Sequence, residues 1–215
     1  MTLTRAYLLL CGFYTLLLLI GLAALLGGGG SLLAVLQLGV GGLAVMGLWG
    51  YFLETGIMNP RMWRSLAGLL AIGLVVQLGA VFLAGLSGAA LSWALSGAIF
   101  SVLPMILLYR YGDRDQPLWA SPEEREGGRV LGALLDVQPD LRVDKHTQDS
   151  PASVRIRRHD DTYLARVQRR HDGDIEAFEA RFRCPATLAF FIEKFTCIAV
   201  SDFADKYGGH DTRAA

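Results

Sequence analysis

Long runs of apolar residues fill the first half of the chain and end near Leu108. Before that point only four side chains are charged, whereas beyond it charges recur every few positions and apolar runs are short. A hydrocarbon core of ~30 Å needs about 20 helical residues, and apolar runs of that length are typical of transmembrane helices. The pattern predicts four spans in a transmembrane domain over residues 1–109, at about residues 6–26, 32–53, 65–86 and 89–109.

The few charges of this half fall on one side of the predicted four spans. The basic ones are Arg5 and the loop pair Arg61 and Arg64, and the pair Arg110 and Arg114 that follows the last span lies on the same side. The two connectors on the other side carry no charge, so the positive-inside tendency places both termini in the cytoplasm. The short basic start also fits a signal peptide, but the apolar run is too long and lacks a small-x-small cleavage site, which favours an uncleaved helix.

Aromatic residues flank the predicted spans where they meet water. Trp63 lies beside the basic loop pair, and further aromatics fall around the junction of residues 110–120. Tryptophan and tyrosine are enriched at both membrane–water interfaces. We therefore predict four interfacial anchors: Trp63, Tyr109, Tyr111 and Trp119.

Gln37 and Gln77 are the only amides inside the predicted spans, and the spans contain no charged residue or histidine. Proton relays and ion-coupled transporters usually carry an ionisable residue there. With the second and third spans antiparallel, both amides fall in the outer half of the bilayer. A hydrogen bond between them, contributing about 0.6–2 kcal/mol, is the favoured interpretation, and contact with a polar ligand is the alternative.

The apolar period changes in the second half. Ser121-Pro122, followed by two glutamates, predicts a helix that runs to about Val137. Apolar and polar residues then alternate in three stretches of residues 153–183, with turn signals at 160–161 and 172–173, and this predicts three half-buried strands. Leu141–Val143 could form a further short strand or belong to the loop that follows the helix.

Pro185 then begins a predicted helix that runs to about Tyr207, ends at Gly208-Gly209 and covers the sheet with an apolar stripe. The predicted fold is an all-α four-helix transmembrane bundle followed by a small cytoplasmic α+β domain, residues 121–209. That domain consists of a three-stranded antiparallel meander with flanking helices, and residues 210–215 form a disordered tail. Four short-looped spans before a small polar domain are common among bacterial inner-membrane proteins, which predicts that membrane by analogy of architecture alone.

One face of the predicted meander contains several arginines and one acidic residue, Glu179. Under a bilayer such a face can meet anionic headgroups. Residues 154–183 hold eight arginines against six acids, however, so a solvated sheet face is the favoured interpretation. The residues of the possible headgroup-facing set are Arg155, Arg157, Arg166, Arg181 and Arg183.

Charge and motifs argue against several classes of function. Twenty basic and twenty acidic residues give a formal net charge of 0, which argues against nucleic-acid binding. Cys11, Cys184 and Cys197 lack metal-type spacing, and His159 and His171 stand in two RRHD segments predicted at opposite ends of the sheet. A nucleophile elbow, P-loop, dinucleotide fingerprint, HExxH or CxxC motif is missing, so we predict no enzymatic activity, cofactor or metal.

The leading functional hypothesis is a non-enzymatic inner-membrane protein. It would act as a membrane-anchored assembly or interaction subunit, with the lipid bilayer and either a protein partner or further copies of itself as partners. The alternative is a small oligomeric carrier or lipid-handling protein in which Gln37, Gln77 and the serines of the fourth span line a neutral pathway. An immunity or envelope-sensor protein is a weaker alternative that no residue singles out.

Overall fold

The computed structural model of the protein describes residues 3–28, 31–83, 85, 87–147, 150–171 and 174–208. The chain divides into two compact units, Met1–Arg114 and Asp115–Ala215. Each unit has its own elements and its own packing.

The first unit contains four helices that are long and apolar enough to cross a membrane. This confirms the predicted set of four apolar helices and is compatible with a multi-pass membrane protein. The third begins earlier than its predicted start at residue 65, because Asn59 Oδ1 accepts the N–H of Arg61 and Pro60 suits the first helical turn. The helices are α1 (Leu3–Gly28), α2 (Leu32–Phe52), α3 (Pro60–Leu83) and α4 (Gly88–Tyr111).

The second unit begins with one turn of 3₁₀ helix at Pro117–Trp119 and then follows the order αββββαα. Ser121 accepts the N–H of Glu124, and the Glu124 carboxylate accepts the N–H of Ser121, so the first helix starts where the sequence predicts. Its elements are α5 (Pro122–Val137), β1 (Asp140–Thr147), β2 (Ser150–His159), β3 (Thr162–His171), β4 (Asp174–Phe182), α6 (Pro185–Phe195) and α7 (Val200–Tyr207).

The sheet has four antiparallel strands in the order β1-β2-β3-β4, so the prediction of a three-stranded meander is wrong. The additional strand, β1, pairs with β2 from Asp140 opposite Arg157 to Thr147 opposite Ser150. Leu141 and Val143 alone supply its buried apolar side chains, which is a weak signal in sequence. An edge strand is held by backbone pairing along one side and tolerates this polar composition.

The single helix predicted from Pro185 to Tyr207 is also wrong, because the chain breaks between α6 and α7. Thr196 Oγ1 donates to the carbonyl of Ile192 at 2.7 Å and accepts the N–H of Ile198 at 3.1 Å. These local bonds compete with helix continuation. The predicted end at Gly209 and the tail lie outside the described residues.

The core of the second unit lies on one side of the sheet. The three helices pack there against the inward residues of the strands, including Val154, Ile156 and Ala165, which are fully buried. Leu188, Ile192 and Phe203 of the predicted helical stripe are equally buried, so the stripe covers the sheet despite the break. No described helix of the second unit packs on the opposite side of the sheet.

Candidate functional site

The uncovered side of the sheet, here called the open face, includes three cross-strand rows at its centre. The register aligns Asp140, Arg157, Leu164 and Arg181; then Arg142, Arg155, Arg166 and Glu179; then Asp144, Ser153, Gln168 and Ala177. Four of the five arginines predicted for a polar face therefore lie together on it. The fifth, Arg183, follows the end of β4 as an exposed residue, and its N–H donates to the Asp115 carboxylate at 2.6 Å.

Ion pairs partly neutralise the open face. Arg155 donates through Nε and Nη2 to Asp140 at 2.8 and 2.5 Å, and Arg166 holds Glu179 at 2.8 Å. The hydrogen bond from Arg155 lowers the pKa of Asp140, so this carboxyl is ionised at neutral pH. The three rows carry five arginines against three carboxylates and so have a positive excess.

Sequence reasoning did not assign Arg142, Ser153 and Gln168 to this face. They join Arg155 and Arg166 around a cavity of about 140 Å³. Arg142 was missed because β1 was not recognised as a full strand, although the alternation of Leu141 and Val143 points Arg142 away from the core. Arg142 donates to Asp144 at 3.1 Å.

A second cluster closes one end of the four-helix unit. Tyr111 donates its hydroxyl hydrogen to the carbonyl of Thr55 at 2.6 Å and accepts the N–H of Ile57 at 2.9 Å. Trp63 Nε1 donates to the carbonyl of Ile57 at 2.7 Å. Both rings are buried, with 0% and 2% exposure, and they hold the connection between α2 and α3. We call these two side chains and their bonds the aromatic clamp.

The other two predicted anchors behave differently. Tyr109 is 60% exposed, and the Arg64 guanidinium lies 5.5 Å from its ring centre. Arg64 also pairs with Asp113 at 3.0 Å. Trp119 belongs to the second unit, where it is half-buried in the 3₁₀ turn. Their assignment to a membrane interface stays a prediction.

The four-helix unit also contains an apolar cleft of about 550 Å³, lined by residues of all four helices. Gln37 lines it, together with Tyr14, whose hydroxyl donates to the carbonyl of Phe100 at 2.6 Å. Gln77 is not part of the lining; its Oε1 is buried and accepts no hydrogen bond from any described residue. The structure therefore does not join the two amides.

The cysteines are scattered over both units, and the histidines lie in the second. Cys11 and Cys184 are buried, and Cys197 is exposed. Within the described ranges, no group of three or more His, Cys, Asp and Glu side chains could hold a metal ion. His159 is exposed, with its Nε2 3.8 Å from the Asp160 carboxylate. The sequence also allows a weak metal site at a single turn, His171 with Asp172 and Asp174, which lies partly outside the described residues.

The open face and the apolar cleft both present groups that can bind a ligand. Guanidinium groups stay charged throughout the physiological pH range and present N–H donors to anions. The cleft offers an apolar lining with one amide, which suits an apolar chain carrying a polar group. Comparison of the chain with protein-family models, with curated proteins and with solved structures finds no match.

Proposed function

We propose that this protein is a non-enzymatic subunit of the bacterial-type inner membrane that binds a protein partner on the cytoplasmic side. Its four apolar helices anchor it, and its second unit provides the contact surface. The observation that carries the proposal is the open face, since the unit buries its core on one side of the sheet only. The other side exposes Arg157, Arg166 and Arg181.

The composition of the open face fits an interface. Arginine is enriched in protein–protein interfaces because its stem adds apolar contact and its planar head forms paired hydrogen bonds. A positive excess on the face favours an acidic partner, since complementary charge accelerates encounter and suppresses wrong partners. The partner proposed here is therefore a protein with an acidic surface.

The cytoplasmic orientation rests on the charges of the first unit. Arg5, Arg61 and Arg64 belong to the helix ends and connection at the aromatic clamp, and the connections at the other end are uncharged. Cys197, the exposed thiol of the second unit, allows a test with a membrane-impermeant maleimide. Labelling in inverted vesicles but not in intact cells is expected, and labelling in intact cells would contradict the orientation.

The partner itself is tested by mild extraction of the tagged full-length protein from its native host. Stoichiometric co-purifying proteins are identified by mass spectrometry. Arg157→Glu with Arg181→Glu reverses charge on the open face and is expected to reduce capture at least tenfold. Arg125→Glu, an exposed reversal on α5, is the control and is expected to retain the partner. Equal capture by both variants, or no partner in the wild type, would contradict the proposal.

A second candidate function, a small oligomeric carrier or lipid-handling protein, is favoured by the apolar cleft and by Gln37 in its wall. Native mass spectrometry of the purified protein reports bound lipid directly. Gln37→Leu is expected to change the amount or class of bound lipid, whereas Gln77→Leu, a matched change outside the cleft, is not. Wild-type lipid occupancy in the Gln37→Leu protein would remove this candidate.

A further inference from the structure

We propose that the open face contains a binding site for a phosphate monoester or a similarly charged small oxyanion. The site, here called the arginine pocket, is formed by Arg142, Arg155, Arg166, Ser153 and Gln168. Its volume of about 140 Å³ is several times the ~30 Å³ of a water molecule and well below the ~300–1,000 Å³ of drug-sized sites. It therefore suits a single small anionic group.

Three like charges face one another in this pocket. Arg142 is directly opposite Arg155 on the neighbouring strand, and Arg155 is directly opposite Arg166. Directly opposed side chains of antiparallel strands have Cβ atoms about 4.5–5.5 Å apart, and like charges placed so are destabilising. The carboxylates paired with the three guanidinium groups already reduce this repulsion, and an anion bound between these groups reduces it further.

The existing ion pairs leave one side of each guanidinium available. Arg142, Arg155 and Arg166 each bind their carboxylate through Nε and Nη2. Among the described residues, none of the three Nη1 groups donates a hydrogen bond. These three Nη1 groups supply N–H donors for a tetrahedral oxyanion, which accepts several such bonds at once.

The carboxylates that pair with the three arginines lie outside the cavity. Asp140, Asp144 and Glu179 contact the arginines but do not line the cavity, whose lining contains no acidic side chain of the described chain. Each pair fixes one arginine side chain in place before a ligand arrives. Such preorganisation lowers the entropic cost of binding.

The arginine pocket needs no protein partner, so its test is independent of the proposed function. A phosphate monoester can come from a soluble metabolite or from a phosphorylated lipid headgroup. Both sources offer the same terminal phosphate to the three arginines, and the lipid composition of the sample separates them.

The experiment uses the full-length protein in nanodiscs of phosphatidylcholine, titrated with glycerol 3-phosphate at low salt by calorimetry. Saturable binding is expected for the wild type. Arg166→Gln and Arg142→Gln are each expected to weaken binding about tenfold or more, because each removes a charged donor. Arg181→Gln removes the same charge from the same face outside the pocket and is expected to change binding only slightly.

Two results would overturn the proposal. The first is the absence of saturable binding to wild-type protein at millimolar glycerol 3-phosphate. The second is an equal loss in Arg166→Gln and Arg181→Gln, which would mean that general surface charge alone attracts the anion. Arg166→Lys keeps the charge without the planar fork, and an affinity between those of Arg166→Gln and the wild type is expected.

The source of the phosphate is assigned by repeating the titration in two anionic nanodiscs. One contains phosphatidic acid, a phosphomonoester lipid, and the other an equal share of phosphatidylglycerol, a phosphodiester. Weaker binding of glycerol 3-phosphate in the phosphatidic acid discs means that the headgroup occupies the pocket. Equal binding in the two assigns the site to a soluble phosphate compound.

Discussion

The two units place their apolar residues in opposite ways. In the first unit large apolar side chains point outward, and Phe82 and Leu83 of α3 are 81% and 90% exposed. In the second unit such residues lie inside, and Ile156 and Phe203 are fully buried. Apolar character therefore identifies the interior of the second unit but not that of the first.

The difference follows from the proposed surroundings of each unit. In lipid, helix association gains little from hydrophobic burial, so close packing and hydrogen bonds decide which faces meet. The buried positions of the first unit accordingly include Gly47 and Gly50, next to the aromatic clamp. In water, burial of the alternating strand residues supplies the main driving force.

The largest effect is expected from the core of the second unit. Ile156→Ala removes a fully buried side chain and is expected to destabilise the unit by about 2–5 kcal/mol. Ile175, which is 72% exposed on β4, is the matched control, and Ile175→Ala is expected to stay within about 0.5 kcal/mol of the wild type. Hydrogen exchange of strand peptides in the full-length protein measures both. Similar losses in the two variants would break the comparison.

The next effect concerns the first unit, where glycines let side chains of neighbouring helices pack close to the backbone. A Cβ built on Gly47 lies 2.6 and 2.8 Å from two ring atoms of Trp63, whereas one on Gly42 meets nothing within 4 Å. Gly47→Ala is therefore expected to destabilise the bundle by about 1–3 kcal/mol, and Gly42→Ala is expected to be neutral. Thermal unfolding in detergent, followed by tryptophan fluorescence, compares them; equal melting would contradict tight packing at Gly47.

The aromatic clamp offers a test of hydrogen bonding in the same unit. Tyr111→Phe leaves the Ile57 N–H and the Thr55 carbonyl without their partner, which is expected to destabilise the unit by about 1–3 kcal/mol. Tyr109→Phe removes a hydroxyl from a neighbouring exposed ring and is expected to have no measurable effect. Hydrogen exchange at the Thr55–Ile57 peptide is the readout. Unchanged exchange in Tyr111→Phe would show that the hydroxyl does not hold the connection.

The smallest effect is electrostatic and belongs to the second unit. Hydrogen bonds from the Lys145 ammonium, then from the Ala199 N–H, lower the pKa of Asp202. A carboxyl whose pKa is lowered in the folded state stabilises the fold at pH values above its unfolded-state pKa of ~3.9. This contribution is lost as the pH falls through the folded-state pKa. Asp202→Asn is expected to lower the stability of the second unit by about 1 kcal/mol at pH 7. Below about pH 4, where α7 of the wild type loses protection against hydrogen exchange, the variant is expected to lose less. An acid profile identical to that of the wild type would contradict this role.

Much of the fold follows from patterns that a single dominant interaction produces. The apolar runs mark α1 to α4 because a helix exposed to lipid on several sides is apolar around most of its circumference. Alternation marks β2, β3 and β4 because each buries one face. The start of α5 is equally local: the sequence predicts Ser121 as its N-cap and acids in its first turn, although not the bond from the Ser121 N–H to Glu124.

The errors arise where long-range pairing or a side-chain bond decides the outcome. β1 depends on its pairing with β2, which the two apolar residues Leu141 and Val143 barely indicate. The break after α6 depends on Thr196, whose hydroxyl bonds are invisible in an apolar stripe that continues to Phe203.

The candidate sites show the same division. Arg155, Arg157, Arg166 and Arg181 were predicted to share a face because alternation alone determines it. Arg142 entered only with β1, and the direction of each guanidinium depends on its carboxylate. Residue type predicts Trp63 and Tyr111 as interfacial anchors, which stays a prediction, but it does not indicate the backbone partners that bury them.

Tyr111 is the last residue of α4, and the second unit begins at Asp115. A load applied to the second unit by a pulling device is carried along the chain past Asp113, which pairs with Arg64 of α3, to Tyr111. The hydroxyl there is bonded to the connection between α2 and α3, so tension is shared with two other helices instead of unravelling α4 alone. The aromatic clamp therefore limits how far a load on the second unit can unwind α4.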